Sequence, residues 1–273
     1  MISTILLASD GSEVASAAER FATALAQRSR ARLLGLSVVE ERLARGFRED
    51  GLGVAPPASE PLAAYLKSRA DAVGRRVVEH ARSQGVESHF ESVQGIADDL
   101  IVERGQQADL LVLGRDGQGK GYRTGLIGST VNGVIRKTAK SALVVPAGAQ
   151  LSGPIMLGFD GSPGSRIAAG VALDLAQKLS EQVHVFVDSK DKGRANARVS
   201  EVRELLNALP APLREVQSTL GRPDVKLVDA AREVRAGMIV MGAFARNRIT
   251  EYFLGSNSAA VVRTSPIAVL LAR

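Results

Sequence analysis

The chain repeats its own sequence pattern, and this repeat constrains its fold more than any other feature. Residues 5–27 read ILLASDGSEVASAAERFATALAQ, and residues 155–177 read IMLGFDGSPGSRIAAGVALDLAQ. Two further blocks recur in the same order: ADLLVLG at 108–114 parallels AGMIVMG at 236–242, and LIGSTVNGVIRKTAKSALVVP at 126–146 parallels FLGSNSAAVVRTSPIAVLL at 253–271. Three matched blocks in one order indicate two copies of one domain.

The repeat divides the 273 residues into two domains of ordinary size. We place the first domain at 1–150 and the second at 151–273, joined near AGAQLSG at 147–153. Apolar residues make up 45% of the chain and charged residues 23%, which is typical of a globular protein.

Each half alternates between short apolar runs and segments with helical spacing. In the first half, ILLAS is an apolar run bounded by Asp10 and Gly11, which is typical of a buried parallel strand. The next segment has Ser12 as a candidate helix N-cap and an apolar face formed by Ala15, Ala18, Phe21, Ala22, Leu25 and Ala26. The alternation continues through five strands, so we predict an α/β fold with a parallel sheet and helices on both of its faces.

The halves differ mainly at residues 40–60, EERLARGFREDGLGVAPPASE. The first half inserts this charged loop after its second strand, where the second half has only a few residues around DSKDKG. Loops of this length are uncommon unless they are functional or disordered. The insertion follows the carboxyl end of a strand, where open α/β sheets bind ligands. A lid over a ligand and a flexible connection therefore both stay open.

Charge and composition limit the classes of function. The net charge is +6, but the Lys and Arg residues are interspersed with Asp and Glu, so the charge pattern does not indicate a nucleic-acid-binding surface. The chain has no cysteine, which excludes disulfides, thiolate metal sites and a cysteine nucleophile, and favours the cytoplasm. The N-terminus, MISTILLASDGS, has no basic region of a signal peptide, and no apolar stretch is long enough for a bilayer. We expect no membrane partner.

A glycine-rich segment, GRDGQGKG at 114–121, comes within one residue of a P-loop. A P-loop requires Ser or Thr after its Lys to hold Mg²⁺, and this chain has Gly121 after Lys120. The P-loop interpretation therefore fails at a chemically essential position. Gly117 and Gly119 do not complete a dinucleotide fingerprint either, because Tyr122 stands where the third glycine belongs.

A longer spacing of the same residues points to a different phosphate site. Gly114 and Gly117 follow the fourth strand, and Gly128, Ser129 and Thr130 open the last helix of the half. Glycines let the backbone approach a ligand closely, and a helix N-terminus presents N–H groups that suit phosphate. For the glycines and Ser129 alone, a turn followed by an N-cap is the competing interpretation.

Taken together, these residues resemble the universal stress proteins. The resemblance rests on Asp10-Gly11-Ser12 after the first strand, ADLLVLG at the fourth, and a Gly-Ser-initiated last helix followed by VVP, and it covers nearly the whole chain twice. It implies two tandem doubly wound, Rossmann-like domains of the adenine nucleotide alpha hydrolase-like type. Each would have a five-stranded parallel sheet of order 3-2-1-4-5, with a ligand crevice between strands one and four.

The resemblance also implies a nucleotide site. An ATP-binding branch of the family has the pattern G-x2-G-x9-G-[ST], and a second branch lacks it. When this pattern is carried onto the present sequence, the implied ligand is ATP (or AMP or ADP), with or without Mg. One group of residues would contact its ribose and phosphates, and a second group would contact the nucleoside side. The first group is Gly114, Gly117, Gly128, Ser129 and Thr130, and the second is Ala8, Asp10 and Val38. Asp10 would also be the contact to a nucleotide-bound Mg.

Both halves depart from the pattern of the ATP-binding branch. Ten residues rather than nine separate Gly117 from Gly128. In the second half the spacing is nine, but Ala245 replaces the second glycine, and its Cβ resists the positive φ of a tight loop. We therefore expect the first half to bind nucleotide and the second to be degenerate. The weaker second-half candidates are Asp160, Gly242, Gly255 and Ser256.

Three hypotheses about function stay open. The first is a non-enzymatic, nucleotide-binding stress-response or regulatory protein with no catalytic residues, whose halves associate through their fifth strands and whose chains dimerise further. The second is an interaction module that binds no nucleotide, and the third is a slow ATPase. His80, His89 and His184 lie far apart in the sequence and are interpreted as surface or helix residues rather than catalytic groups.

Overall fold

A computed structural model describes most of the chain. The described residues are 2–40, 60–115, 128–189, 191–207, 214–218, 222–243 and 255–273. Most of the predicted 40–60 insertion and the predicted site residue Gly117 lie outside them, so those predictions stay predictions.

The two halves contain the same succession of strands and helices. The first half contains β1 (Thr4–Ala8), α1 (Ala15–Ser29), β2 (Arg32–Glu40), α2 (Glu60–Ser83), β3 (Ser88–Gly95), α3 (Ala97–Gly105), β4 (Leu110–Gly114), α4 (Ser129–Lys137) and β5 (Ser141–Val145). The second half contains β6 (Ile155–Gly158), α5 (Pro163–Leu179), β7 (Val183–Asp188), α6 (Lys192–Leu205), β8 (Arg214–Ser218), α7 (Pro223–Glu233), β9 (Met238–Gly242), α8 (Ser256–Thr264) and β10 (Ala268–Ala272).

The ten strands of the described residues form one sheet in the order β3-β2-β1-β4-β5-β10-β9-β6-β7-β8. Within each half the strands are parallel, and the order is the 3-2-1-4-5 that the family resemblance implied. The two fifth strands, β5 and β10, pair antiparallel, with Leu143 opposite Leu270. This pairing covers two apolar edges that would otherwise be open to aggregation. Because the strands of the two halves run in opposite directions, the carboxyl ends of the first half's strands lie at one end of the sheet's strands and those of the second half's strands at the other end.

The sheet is buried on both faces, as expected for parallel strands. Ile5 and Leu7 of β1 join one core cluster with α1, α2, α5 and α6. Leu6, between them, joins a second cluster on the other face with α3, α4, α7 and α8. The apolar face predicted for α1 is buried throughout, so the helical periodicity of that segment is confirmed.

The prediction that Ser12 is the N-cap of α1 is wrong. A turn at residues 13–14 precedes the helix, and Val14 is its N-cap. The Ser12 hydroxyl nevertheless accepts a hydrogen bond from the Ala15 N–H at 3.2 Å. In the second half Ser162 is the N-cap, and it accepts from the Ser165 N–H at 3.2 Å. Both serines satisfy an N–H at the start of the helix, and only the position of the first turn differs.

Candidate functional site

The loop after β1 forms a tight turn at the carboxyl end of the strand. The Asp10 carboxylate accepts a hydrogen bond from the Ser12 N–H at 3.0 Å. Gly11 has φ +69°, in the region that glycine tolerates best, and a Cβ at this position would overlap Val73 of α2. Glycine is therefore required here twice, for the turn and for the close approach of α2.

A polar network lies behind this turn, in which Ser9 and Glu19 are buried and the side chain of Arg76 is 52% exposed. The Ser9 hydroxyl accepts from the Gly11 N–H at 3.1 Å and donates to the carboxylate of Glu19 in α1 at 2.6 Å. The Glu19 carboxylate also accepts two hydrogen bonds from Arg76 of α2, at 2.7 and 2.8 Å. The Ser9–Glu19–Arg76 network thus joins the Asp10 turn to α1 and α2.

The nucleoside-side candidates Ala8 and Val38 share one face of the sheet. Ala8 pairs with Leu36 of β2 and with Leu113 of β4, and β2 extends beyond it to Val38 and Glu40. Ala8 and Val38 both pack partly buried against the core cluster that contains α3 and α4. The two residues are therefore on the same face as the helix whose N-terminus is the phosphate candidate.

The end of β4 and the start of α4 are joined by a backbone hydrogen bond. The Gly128 N–H donates to the Arg115 carbonyl oxygen at 3.3 Å, which brings Gly114 and Ser129 to the same edge of the sheet. No side chain among the described residues caps the N-terminus of α4. Its first N–H groups, at Ser129 and Thr130, are of the kind that binds phosphate at helix N-termini.

The structure places the predicted first-half residues at the carboxyl ends of β1, β2 and β4 and at the start of α4, except for Gly117, which it does not describe. This is the topological switch point of the half, where the chain leaves the sheet in opposite directions after β1 and β4. The residues that sequence reasoning missed are Glu19, Arg76 and Arg115. The comparison of Ser9 with Phe159 of the other repeat was the available signal for the buried network.

The second half repeats the backbone of this site with different packing. The Asp160 carboxylate accepts from the Ser162 N–H at 2.9 Å, and the Gly255 N–H donates to the Ala243 carbonyl at 3.2 Å. Ser256 begins α8, as Ser129 begins α4. A Cβ on Gly242 would lie 2.7 Å from the carbonyl carbon of Gly164 in α5. Gly242 is thus explained by packing against α5 and does not by itself indicate a ligand.

The three histidines do not share one environment, although the sequence suggested surface or helix positions for all of them. His80 and His89 are exposed, but His184 is 4% exposed on β7, so its interpretation as a surface residue is wrong. β7 lies between β6 and β8, which explains the burial. Within the described ranges, no group of three or more His, Asp or Glu side chains could hold a metal ion, and no helix could cross a membrane.

Comparison with known proteins finds the same family twice along the chain. The model of the universal stress protein family matches residues 1–146 and 152–273. Universal stress protein Slr1230 of Synechocystis is 25% identical over 98% of this chain and 99% of its own length. Universal stress protein Rv2005c of Mycobacterium tuberculosis is 29% identical over 63% of this chain, and the match spans 64% of that relative.

A solved structure has the same fold. The crystal structure of a universal stress protein from Archaeoglobus fulgidus has a TM-score of 0.79, with 17% identity, over 99% of this chain and 98% of its own. At 17% identity this similarity shows only that the fold is the same, and the family assignment rests on the two matches of the family model. The α/β fold with tandem domains is therefore confirmed, and the chain belongs to the universal stress protein family.

Proposed function

We propose that this chain is a stress-response or regulatory protein whose first domain, 1–150, binds ATP or another adenine nucleotide without a catalytic function. The observation that carries the proposal is the hydrogen bond from Gly128 to Arg115, which joins the start of α4 to the end of β4. Because of it, helix N–H groups without a side-chain cap lie at the same switch point as the Asp10 turn. The second domain, 151–273, would have a structural or regulatory role, and the cytoplasm is the compartment we expect.

Two features support the assignment to the first half over the second. In the second half the Ser258 hydroxyl donates to the carbonyl oxygen of Gly242, at the end of β9, at 3.0 Å, whereas the equivalent residue of α4 is Val131, which has no hydroxyl. The position equivalent to Val38 is Asp188, because Ala8 pairs with Leu36 as Gly158 pairs with Phe186. A carboxylate at that position is a poorer surface for a nucleoside than an aliphatic side chain.

The association of chains is part of the proposal. The fifth strands are already paired with each other inside the chain, so they have no free edge for a second copy. A homodimer would therefore use another surface, and the outermost strands β3 and β8 are the remaining edges of the sheet.

Native mass spectrometry of freshly purified protein tests nucleotide binding. We expect the unmodified chain to retain about one ATP or AMP per chain, and Gly117→Val to lose it, because the new side chain would block the approach of phosphate. Ala245→Val, the equivalent change in the second half, is the matched control and should retain the nucleotide. Undiminished binding by Gly117→Val would remove this loop from the site.

The alternative is an interaction module that binds no nucleotide, and the extra residue between Gly117 and Gly128 favours it. A bare chain in the same spectrum, together with no effect of added ATP on thermal unfolding, would select this alternative. Phosphate release during incubation with ATP and Mg would instead indicate the slow ATPase.

A further inference from the structure

We infer that Ser9, Glu19 and Arg76 are positioning residues of the nucleotide site, which hold the Asp10 turn rigidly against α2. The inference rests on the proposed function and extends it to side chains that do not contact the nucleotide. Glu19 is a carboxylate whose side chain is 8% exposed, and each of its oxygens accepts a hydrogen bond from Arg76. The Ser9 hydroxyl connects that carboxylate to the Gly11 N–H.

The internal repeat shows that the fold itself does not require the network. In the second half Phe159 replaces Ser9 and Ala169 replaces Glu19, and both are buried at 2% exposure or less. The strand order and the hydrogen bond from Ser162 to Asp160 are nevertheless the same. Burying a carboxylate, even one that is paired with a cation, generally stabilises a protein no more than apolar side chains that fill the same space. A purely structural role therefore gives no reason to bury Ser9 and Glu19 in one half and the apolar Phe159 and Ala169 in the other.

The network fixes the peptide group between Asp10 and Gly11, whose position affects any ligand that binds beside Asp10. The peptide between Asp10 and Gly11 is fixed by the Gly11 N–H, which donates to Ser9. Glu19 orients that hydroxyl, and Arg76 orients Glu19. In the absence of these hydrogen bonds the turn can still form, as in the second half, but only the packing of Val73 against Gly11 then joins it to α2. A site that must be ordered at the moment of binding has a lower affinity.

The network also includes the helix that follows the insertion in the sequence. Arg76 belongs to α2, which begins at Glu60, directly after the insertion that the second half lacks. The same helix contributes Val73, which lies against Gly11. If nucleotide binding orders the Asp10 turn, it must also favour the docked position of α2, because such coupling is reciprocal.

The first experiment replaces Ser9 and Glu19 with the residues found at the equivalent positions of the second half. The double variant Ser9→Phe/Glu19→Ala should unfold at a temperature no lower than the unmodified chain but bind ATP about tenfold more weakly in calorimetric titration, since the turn must now be ordered on binding. A merely structural role predicts unchanged ATP affinity in this variant, and that result would overturn the inference.

Single variants cover the case in which the double variant does not fold. Arg76→Ala should weaken ATP binding, and Arg76→Lys should recover part of the loss, because a lysine can still donate one hydrogen bond to Glu19. Glu201→Ala is the matched control, since it removes the ion pair with Arg166 that joins the equivalent helices of the second half. Equal affinities of Arg76→Ala and the control would overturn the inference.

Amide hydrogen exchange separates this inference from the proposed function. In Arg76→Ala without nucleotide, residues 9–12 should exchange about tenfold faster than in Glu201→Ala, because the Gly11 N–H is less well held. This readout needs no ligand, so it tests the positioning role even if the unmodified chain binds no ATP and the proposed function fails. Unchanged exchange at residues 9–12 would refute the positioning role on its own.

Discussion

The guanidinium of Arg115 donates a 2.6 Å hydrogen bond to the carbonyl oxygen of Ser265, across the pair of fifth strands that joins the two halves. Arg115 directly follows Gly114, so the end of β4 in one half holds the last turn of α8 in the other. Arg273 makes the converse contact, donating to the carbonyl oxygens of Thr138 at 2.6 Å and of Ile135 at the end of α4. Each last helix thus ends on a cation from the opposite half, where a cation complements the helix dipole.

We expect Arg273→Ala to lower the free energy of unfolding by about 2–3 kcal/mol, because it removes charged hydrogen bonds to helix carbonyls. Burial lowers the pKa of the Arg273 guanidinium to about 10, so the group is still cationic at neutral pH. Urea denaturation followed by circular dichroism measures the loss. The control is Arg263→Ala, which removes an exposed arginine of α8 and should cost less than about 0.5 kcal/mol. Equal losses in the two variants would show that these contacts do not stabilise the junction.

Much of the fold could be predicted from the sequence because most strands are short, apolar and followed by a segment with helical periodicity. The repeat gave the number of domains, and the apolar fifth strands indicated where the halves meet. The start of α1 could not be predicted from the sequence. The Ser12 hydroxyl accepts a hydrogen bond from the Ala15 N–H as an N-cap residue does, but the helix itself begins only at Ala15. The burial of His184 was also missed, because strand periodicity does not say how completely the neighbouring strands cover a residue.

The candidate site was predictable to the extent that its residues lie at the ends of parallel strands. Ala8, Asp10 and Gly114 are placed at one edge of the sheet by topology alone. The partners of those residues were not predictable, because Glu19 and Arg76 are separated by 57 positions and meet only when α1 and α2 pack side by side. The contact of Arg115 with the other half likewise depends on the antiparallel pairing of β5 with β10.

Two glycines inside helices should respond in opposite directions to alanine. Gly170 of α5 has open space around a Cβ, so Gly170→Ala should raise the free energy of unfolding by about 0.5–1 kcal/mol through helix propensity. At Gly133 of α4 a Cβ would overlap the carboxylate of Asp98 in α3 and lie 2.9 Å from its Cβ. Gly133→Ala should therefore destabilise the chain by about 1–3 kcal/mol. Thermal and urea unfolding of both variants measure this, and a stabilised Gly133→Ala would contradict the close packing of α3 on α4.

The acid sensitivity of the second half should depend on Asp224 at the start of α7. The hydrogen bonds from Arg222 lower the pKa of this carboxyl, and they outweigh its burial, which raises it. A folded-state pKa below the unfolded value means that the carboxylate stabilises the fold above about pH 4, and that this contribution disappears as the pH falls through the folded-state pKa.

Asp224→Asn should therefore be less stable than the unmodified chain at pH 7, with the difference shrinking below about pH 4. Urea unfolding at a series of pH values measures it. Asp229→Asn, on the exposed face of the same helix and 4.0 Å from Arg232, is the control and should change stability little at any pH. A pH-independent difference for Asp224→Asn would mean that the ionised form has no special stability in the fold.

Gly242, at the second-half position of Gly114, should be required for packing and not for ligand binding. A Cβ on Gly242 would lie 2.7 Å from the carbonyl carbon of Gly164 and 3.0 Å from the Ser165 nitrogen, which are backbone atoms that cannot rotate away. Gly242→Ala should therefore cost about 1–3 kcal/mol of unfolding free energy. Gly158→Ala, which copies Ala8 of the first half, would place a Cβ 3.2 Å from the flexible end of Leu227 and at an ordinary 3.6 Å from the Met241 Cβ, and should be nearly neutral. If both substitutions are neutral in urea denaturation, β9 does not approach α5 this closely, and Gly242 becomes a ligand-site candidate again.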